Sequence, residues 1–345
     1  MDNVRIAVIG LNFGKSHAVH IRDGIARGGD LAALADINEE FKPLADSWEV
    51  PFFTDYREML ARIKPEGVII AIPPQFHKSA AIDCMEAGAD VLVEKPVTLT
   101  SEEADELIAA EKRIGKKVLV GQHHRFEPTV VMAKEKIASG ELGRLIGFHI
   151  FGTLPKPESY FAQAYKMKRN AGGGTVSING IHDAARIRYI CGDVEKVFAM
   201  KGNTIRGFEE VEDTAGVSIR CKNGAIGTYY ISDCSHPMSE FTDTYFLEKG
   251  TIRFQCSSFY RQPGFHVYEE GFLDEKGSAP AERNKEVRTV RIPYQNPHAR
   301  EVEFFCRMIR EGLEPRTTAA DGKKSMELNN AIIESMDSGS VVCLG

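Results

Sequence analysis

The sequence predicts an α/β protein in two parts: a doubly wound parallel sheet at the N-terminus, then an α/β domain built on a large, mostly antiparallel, open sheet. Three observations predict it. Short, nearly continuous apolar runs alternate with helical patterns over the first third of the chain. Longer runs that alternate apolar with polar dominate after residue 190. Glycine-rich turns close the first strand and precede the segment that leads into the second set of strands.

Strands buried on both faces of a parallel sheet read as unbroken apolar runs. Val4–Ile9, Leu31–Ala35, Val68–Ile72, Val91–Val93 and Val118–Val120 fit that reading. Helical patterns lie between them at Ser16–Arg27, Asn38–Trp48, His77–Ala87 and Ser101–Arg113. Glu102 and Glu103 place acids in the first turn of the last of these, where the helix dipole favours them. Such alternation implies right-handed crossovers. After Gly121 come a helix at Pro128–Ser139, a strand at Ile146–Phe151 and a helix at Asn179–Cys191. Strands follow at Val194–Ala199, Thr214–Cys221, Ala225–Ser232, Thr244–Glu248, Thr251–Gln255, His266–Glu269 and Val287–Ile292. Their alternation suits a sheet with one face covered by helices and one open. Asp274–Lys285 is polar and reads as a loop, and helices return at Ala299–Glu311 and Ser325–Ser338. The expected domains are residues 1–121 and 122–345.

Composition narrows the function. The 345 residues are 43% hydrophobic and 27% charged, with a net charge of -6 and no basic block, so a nucleic-acid surface is not expected. No apolar run approaches membrane-spanning length, and the chain enters a strand without a signal-like segment ahead of it. Seven cysteines are scattered with no CxxC pair. That pattern suits reduced thiols in the cytoplasm better than disulfides or a metal site, and no metal is expected.

The first candidate site is Gly10-Leu11-Asn12-Phe13-Gly14, between a strand and a helix. A pyrophosphate site needs a tight turn that aims backbone N–H groups from a helix N-terminus. The spacing is irregular, because Asn12 stands at the second glycine position and Lys15 at the third. Asn tolerates positive φ, which keeps the turn plausible. Asp36 closes the second strand, where a carboxylate accepts both ribose hydroxyls and repels a 2′-phosphate. This is a Rossmann-type dinucleotide site, with NAD favoured over NADP. The bland alternative is a plain glycine turn with Asp36 as a helix cap.

Ligands of open α/β sheets sit at the carboxyl ends of the strands. Val93-Glu94-Lys95-Pro96 ends the fifth apolar run, so Lys95 is expected at the cofactor cleft with Glu94. An ammonium beside a cationic nicotinamide gives up its proton more readily and can serve a substrate hydroxyl. Pro73 and Pro74 form a donor-free wall on the same rim. His77 follows as cofactor contact or helix cap. Gly172-Gly173-Gly174 delivers a helix with His182 near its start, a natural acid/base at neutral pH.

Together these residues resemble the glucose–fructose oxidoreductase / inositol dehydrogenase / MocA family. The likeness also takes in Gly121-Gln122-His123-His124-Arg125-Phe126-Glu127-Pro128, Gly140-Glu141-Leu142-Gly143 and Asp321-Gly322. It implies NAD(P)-linked oxidation or reduction of a hydroxyl or carbonyl carbon of sugars and cyclic polyols. It implies that Lys95 and His182 are catalytic, and that the open sheet makes a homo-oligomer, dimer or tetramer. An aspartate common one turn before the histidine is replaced by Ile178. Asn179 or Asp183 compensates, or the chemistry leans on Lys95. His124, Arg125, Asn179 and Asp183 are candidate substrate contacts, with ordinary hydrogen bonding as the alternative for His124 and Arg125. Two other functions fit the family: cleavage or elimination on a sugar with NAD recycled in place, and a non-catalytic dinucleotide-binding regulator.

Overall fold

A computed structural model describes residues 3–162, 164–169, 172–203, 205–235, 239–256, 264–269 and 288–345. It divides into two compact units, residues 1–126 with 296–326 and residues 127–295 with 327–345. The sequence reading gave everything after residue 121 to the second domain. The difference lies in α8 (Pro297–Glu311). Its apolar stripe, including Val302, Phe305 and Cys306, packs in one core with Ile6, Ile21 and Leu34 of the first unit. Contact is close there: a Cβ on Gly67 would lie within 3 Å of Ile309, Ile6 and Phe305 side-chain atoms.

The first unit holds a six-stranded parallel sheet in the order β3-β2-β1-β4-β5-β6. The strands are β1 (Val4–Ile9), β2 (Gly29–Ala35), β3 (Phe52–Phe53), β4 (Gly67–Ile70), β5 (Asp90–Glu94) and β6 (Val118–Gly121). Five of them lie where the apolar runs predict. β3 is two residues long and α3 (Tyr56–Ile63) eight, and the sequence reading missed both. α1 runs Leu11–Arg22, five residues earlier than expected. α2 is Lys42–Ser47, α4 His77–Glu86 and α5 Ser101–Ile114. The Thr100 hydroxyl caps α5 by accepting from Glu103 N–H.

The second unit is built on nine strands, in the order β14-β13-β12-β11-β7-β10-β9-β8-β15. All neighbouring pairs are antiparallel except β7 with β10. The strands are β7 (Leu145–Thr153), β8 (Val194–Gly202), β9 (Thr214–Cys221), β10 (Ile226–Ser232), β11 (Glu240–Leu247), β12 (Gly250–Gln255), β13 (Gly264–Glu269), β14 (Arg288–Arg291) and β15 (Val342–Cys343). One face packs on α6 (Pro128–Ala138), α7 (Ile181–Cys191) and the C-terminal part of α9 (Ala319–Ser338), through Phe148, Ile150, Tyr229, Ala184 and Ile332 among others. The other face carries Phe198, Met200, Ile226 and Phe246, all exposed. The predicted loop Asp274–Lys285 lies outside the described residues, as does Val287 of the last predicted strand.

One polar cluster fixes α7 to this sheet. Arg186 is fully buried and meets both carboxylate oxygens of Asp243 on β11, at 2.7 and 3.0 Å. The same Nη2 amino group that meets Asp243 lies 2.9 Å from Asp183. The Tyr229 hydroxyl donates to Asp183 at 2.7 Å and that of Tyr245 to Asp243 at 2.8 Å. Removing one partner of a buried ion pair leaves uncompensated charge. Arg186→Ala is therefore expected to destabilise the second unit by about 3–5 kcal/mol, read as a lower denaturation midpoint in urea. A change under about 1 kcal/mol would contradict this account of the cluster.

Candidate active site

A parallel sheet brings the carboxyl ends of β1, β4, β5 and β6 to one edge, and the strand order reverses between β1 and β4. The candidate residues of the first unit gather there. Gly10 has φ 85 and caps α1, and a Cβ on it would stand 2.5 Å from the Ala71 carbonyl oxygen. Only glycine fits this turn. Asn12 is not the residue with positive φ, contrary to the sequence reading: it is helical and exposed in the first turn of α1, beside exposed Phe13. Gly14 supplies close packing, since a Cβ on it would meet Val8 at 2.9 Å and Ala71 at 3.1 Å. The third glycine's role is thus met one position early.

Asp36 links the turn after β2 to the start of α1. One carboxylate oxygen accepts from Leu11 N–H at 2.6 Å, the other from Asn38 N–H at 2.8 Å. The first of these bonds sets the carboxylate against the first residue of α1. A glycine cradle without room for Cβ, a helix N-terminus whose first-turn N–H groups have no partner within the helix, and a carboxylate beside it fit a dinucleotide.

At the end of β4, exposed Pro73 is extended and Pro74 begins a single turn of 3₁₀-helix. His77 corrects its expected role as a cofactor contact. It is 1% exposed, and its two ring nitrogens face the carbonyls of Pro96 and Ile72, each at 2.8 Å. Neither nitrogen is left for a cofactor. Burial pushes its pKa down, against the pull of both carbonyls and Glu94.

Glu94 ends β5, and Lys95, half-buried, joins Pro96 through a cis peptide bond. The Glu94 carboxylate accepts from His17 Nε2 at 2.8 Å and from Lys95 N–H at 3.1 Å. Burial pushes its pKa up, but the hydrogen bond from His17 and the nearby His17, His298 and Lys95 bring it below the ordinary value. An ionised carboxylate only accepts, so His17 Nε2 carries the proton. His298 of α8 lies beside this pair, with burial pushing its pKa down to about 4 against the opposing pull of Glu94. Donor atoms of His17, Glu94 and His298 lie within 4.8 Å of one another, a set a divalent cation could accept. Here His17 and Glu94 satisfy each other directly. His17 was missed in the sequence, although its place two turns into the helix after the glycine turn could have drawn attention to it.

Beyond β6, His123 stacks on His298 with centroids 3.8 Å apart, and His124 meets His123 edge-on at 4.6 Å. Arg125 is not the substrate contact the sequence allowed. It is 4% exposed, and its guanidinium reaches Asp321 and the Arg316 carbonyl, each at 3.3 Å.

In the second unit, residues Val176–Gly180 form one π-helical turn leading into α7, and His182 is the second residue of α7. A π-turn often marks a functional position. Glu212 anchors its entry. This fully buried carboxylate accepts from Val176 N–H at 2.9 Å and Arg169 at 2.6 Å, and a Cβ on Gly174 (φ 97) would strike it at 2.6 Å. Sequence reasoning missed Glu212, whose partners are more than 35 residues away. Asp183 is corrected: it is 1% exposed and committed to Arg186 and Tyr229. It cannot bind substrate or replace the carboxylate absent at Ile178. Asn179 is half-buried in the π-turn.

Residues 4–122 match the family described as oxidoreductases with an NAD-binding Rossmann fold, and residues 130–253 match the C-terminal domain of the same family. The chain belongs to the GFO/IDH/MocA oxidoreductase family. It is 25% identical to levoglucosan dehydrogenase of Pseudarthrobacter phenanthrenivorans, covering 97% of this chain and 96% of that one. It is 25% identical, with the same coverage, to myo-inositol 2-dehydrogenase of Thermotoga maritima. Its fold matches a levoglucosan dehydrogenase solved with NADH and levoglucosan, at TM-score 0.83 and 23% identity over 99% of both chains. It also matches the WlbA dehydrogenase of Bordetella pertussis solved with NADH and UDP-GlcNAcA, at TM-score 0.79 and 23% identity over 99% of both.

The Asp36 geometry carries a prediction. Asp36→Ser is expected to weaken NADH binding about tenfold or more, and to erase preference for NADH over NADPH, in fluorescence titration. Unchanged preference would remove Asp36 from the ribose site.

Proposed function

We propose that this protein is an NAD-dependent dehydrogenase or reductase acting on a CH–OH carbon of a sugar, cyclic polyol or related carbohydrate. The observation that carries the reading is the strand-end edge of the first unit, where the Gly10 cradle, Asp36 and Glu94-Lys95-Pro96 lie on one sheet margin. The names of the full-length relatives support the substrate class.

Gly10, Asn12, Phe13 and Gly14 would hold the pyrophosphate, Asp36 the ribose, and Pro73, Pro74, Glu94 and Lys95 the nicotinamide end. The bound nicotinamide supplies a hydride acceptor or donor. Lys95 polarises the substrate oxygen or relays its proton. His182 takes that proton in oxidation and returns it in reduction. With Ile178 apolar and Asp183 committed to Arg186, no carboxylate one turn before His182 orients its ring, so more of the work falls to Lys95. His124 and Asn179 are the remaining candidates for substrate hydroxyls.

The exposed face of the nine-stranded sheet supports a homo-oligomer, dimer or tetramer. Met200 is 66% exposed, Ile226 55% and Phe246 45%, and Phe151 stacks on Tyr230 with centroids 5.3 Å apart. An apolar face of this kind needs cover, which a second subunit gives most simply. A cytoplasmic site without nucleic-acid or membrane partners is part of the proposal. No helix among the described residues is long and apolar enough to cross a membrane. The seven cysteines are unpaired thiols.

The test is a panel of sugars, polyols and sugar acids with NAD⁺ or NADP⁺, followed by nicotinamide absorbance. A substrate turned over with NAD⁺ is expected. With that substrate, Lys95→Met should lower kcat by about 10²–10⁴-fold, with NADH affinity within about threefold of native. Equal losses of both would show that Lys95 serves binding rather than chemistry.

A further inference from the structure

Two buried imidazoles bracket the segment that carries Lys95. His17, on α1 and 0% exposed, donates to one oxygen of Glu94, and the other oxygen of that carboxylate accepts from Lys95 N–H. His77, opening α4, reaches across to the carbonyl of Pro96 and, with its second nitrogen, to that of Ile72. The three residues Glu94, Lys95 and Pro96 are thus held at both ends, by rings 77 and 19 residues away from their partners. Gly121 closes the remaining side: a Cβ there would stand 3.1 Å from both Cα and a carboxylate oxygen of Glu94.

We infer that His17 and His77 are positioning residues for Lys95. A buried imidazole–carboxylate pair is a poor device for stability alone, because desolvation offsets its attraction and apolar residues of similar volume often do as well. What such a pair supplies is direction. His17 sets the Glu94 carboxylate, and that carboxylate sets the peptide from which the Lys95 side chain leaves the strand end. The Ile72 carbonyl immediately precedes the Pro73–Pro74 wall, so the His77 ring stands between that wall and the same turn, and as a neutral imidazole it donates its one N–H to one of the two carbonyls. Small misplacements of a reacting group cost rate steeply, so these rings should act on kcat while leaving the cofactor grip of Gly10 and Asp36 in place.

The inference rests on Lys95 being catalytic, and the test separates the two. Using the substrate found in the panel, kcat, KM, NADH affinity and Tm are measured for His17→Leu, His17→Gln, His77→Leu and Lys95→Met. The two doubles that combine a leucine variant with Lys95→Met are included. Each leucine variant should lose about 30-fold or more in kcat, with NADH affinity within about threefold. His17→Gln, which keeps an N–H donor for Glu94, should recover all but about three- to tenfold. Each double should be no slower than Lys95→Met alone. Unchanged kcat in the leucine variants, or losses that add in full to that of Lys95→Met, overturns the positioning role. If His17→Leu does not fold, His77→Leu and His17→Gln decide, and native kcat in both overturns it. A fully active Lys95→Met instead overturns the catalytic reading itself.

Discussion

In a parallel sheet every strand ends at the same edge, and most of the first unit follows from that constraint. Sequence segments as distant as Gly10, Pro73, Glu94 and Gln122 need no long-range contacts of their own to become neighbours, because backbone pairing of β1, β4, β5 and β6 delivers them. The reversal of strand order between β1 and β4 opens a crevice at that edge. Two glycines then adapt the crevice. Gly10 lets the chain cross close to the end of β4, and Gly14 lets α1 lie down on β1 and β4. The irregular spacing of the motif matters less than these two absent Cβ atoms.

The two units hold their candidate catalytic residues by different means. Lys95 sits on a turn whose neighbours are hydrogen-bonded imidazoles and a carboxylate. His182 sits on a helix whose entry is anchored by Glu212 and whose next turn is anchored by Arg186 with Asp183 and Asp243. In both cases buried charge lies directly beside the proposed reacting group. Buried charge is costly unless fully partnered, and each of these groups has partners on another element.

The sequence made the sheets legible because burial on two faces and on one face leave different periodicities, and the strands from Val4–Ile9 to Thr214–Cys221 lie where those patterns put them. What it hid follows a physical rule. β3 is too short to have a period, and α1 began earlier because residues 11–15 read as turn when Gly10 alone makes the turn. α8 looked like part of the C-terminal domain, since an amphipathic stripe does not say which core it covers. Site residues failed in the same way. Arg125 and Asp183 are polar residues near a motif, which marks them as candidates, but their partners Asp321 and Arg186 commit them to the interior. Gly10, Asp36 and Lys95 were legible because turn geometry and strand-end position constrain them locally. His17 and Glu212 were not, because their importance lies in partners dozens of residues away.

The most direct test of the account follows the hydride itself. The protein is incubated with NADH deuterated at one or the other C4 position, together with keto forms of sugars and cyclic polyols, and the products are analysed by mass spectrometry. The account predicts one deuterium on the former carbonyl carbon of a product, delivered from one C4 position and not from the other. Tight NADH binding with no deuterium transferred to any carbohydrate would contradict it, leaving a dinucleotide-binding protein without the proposed chemistry.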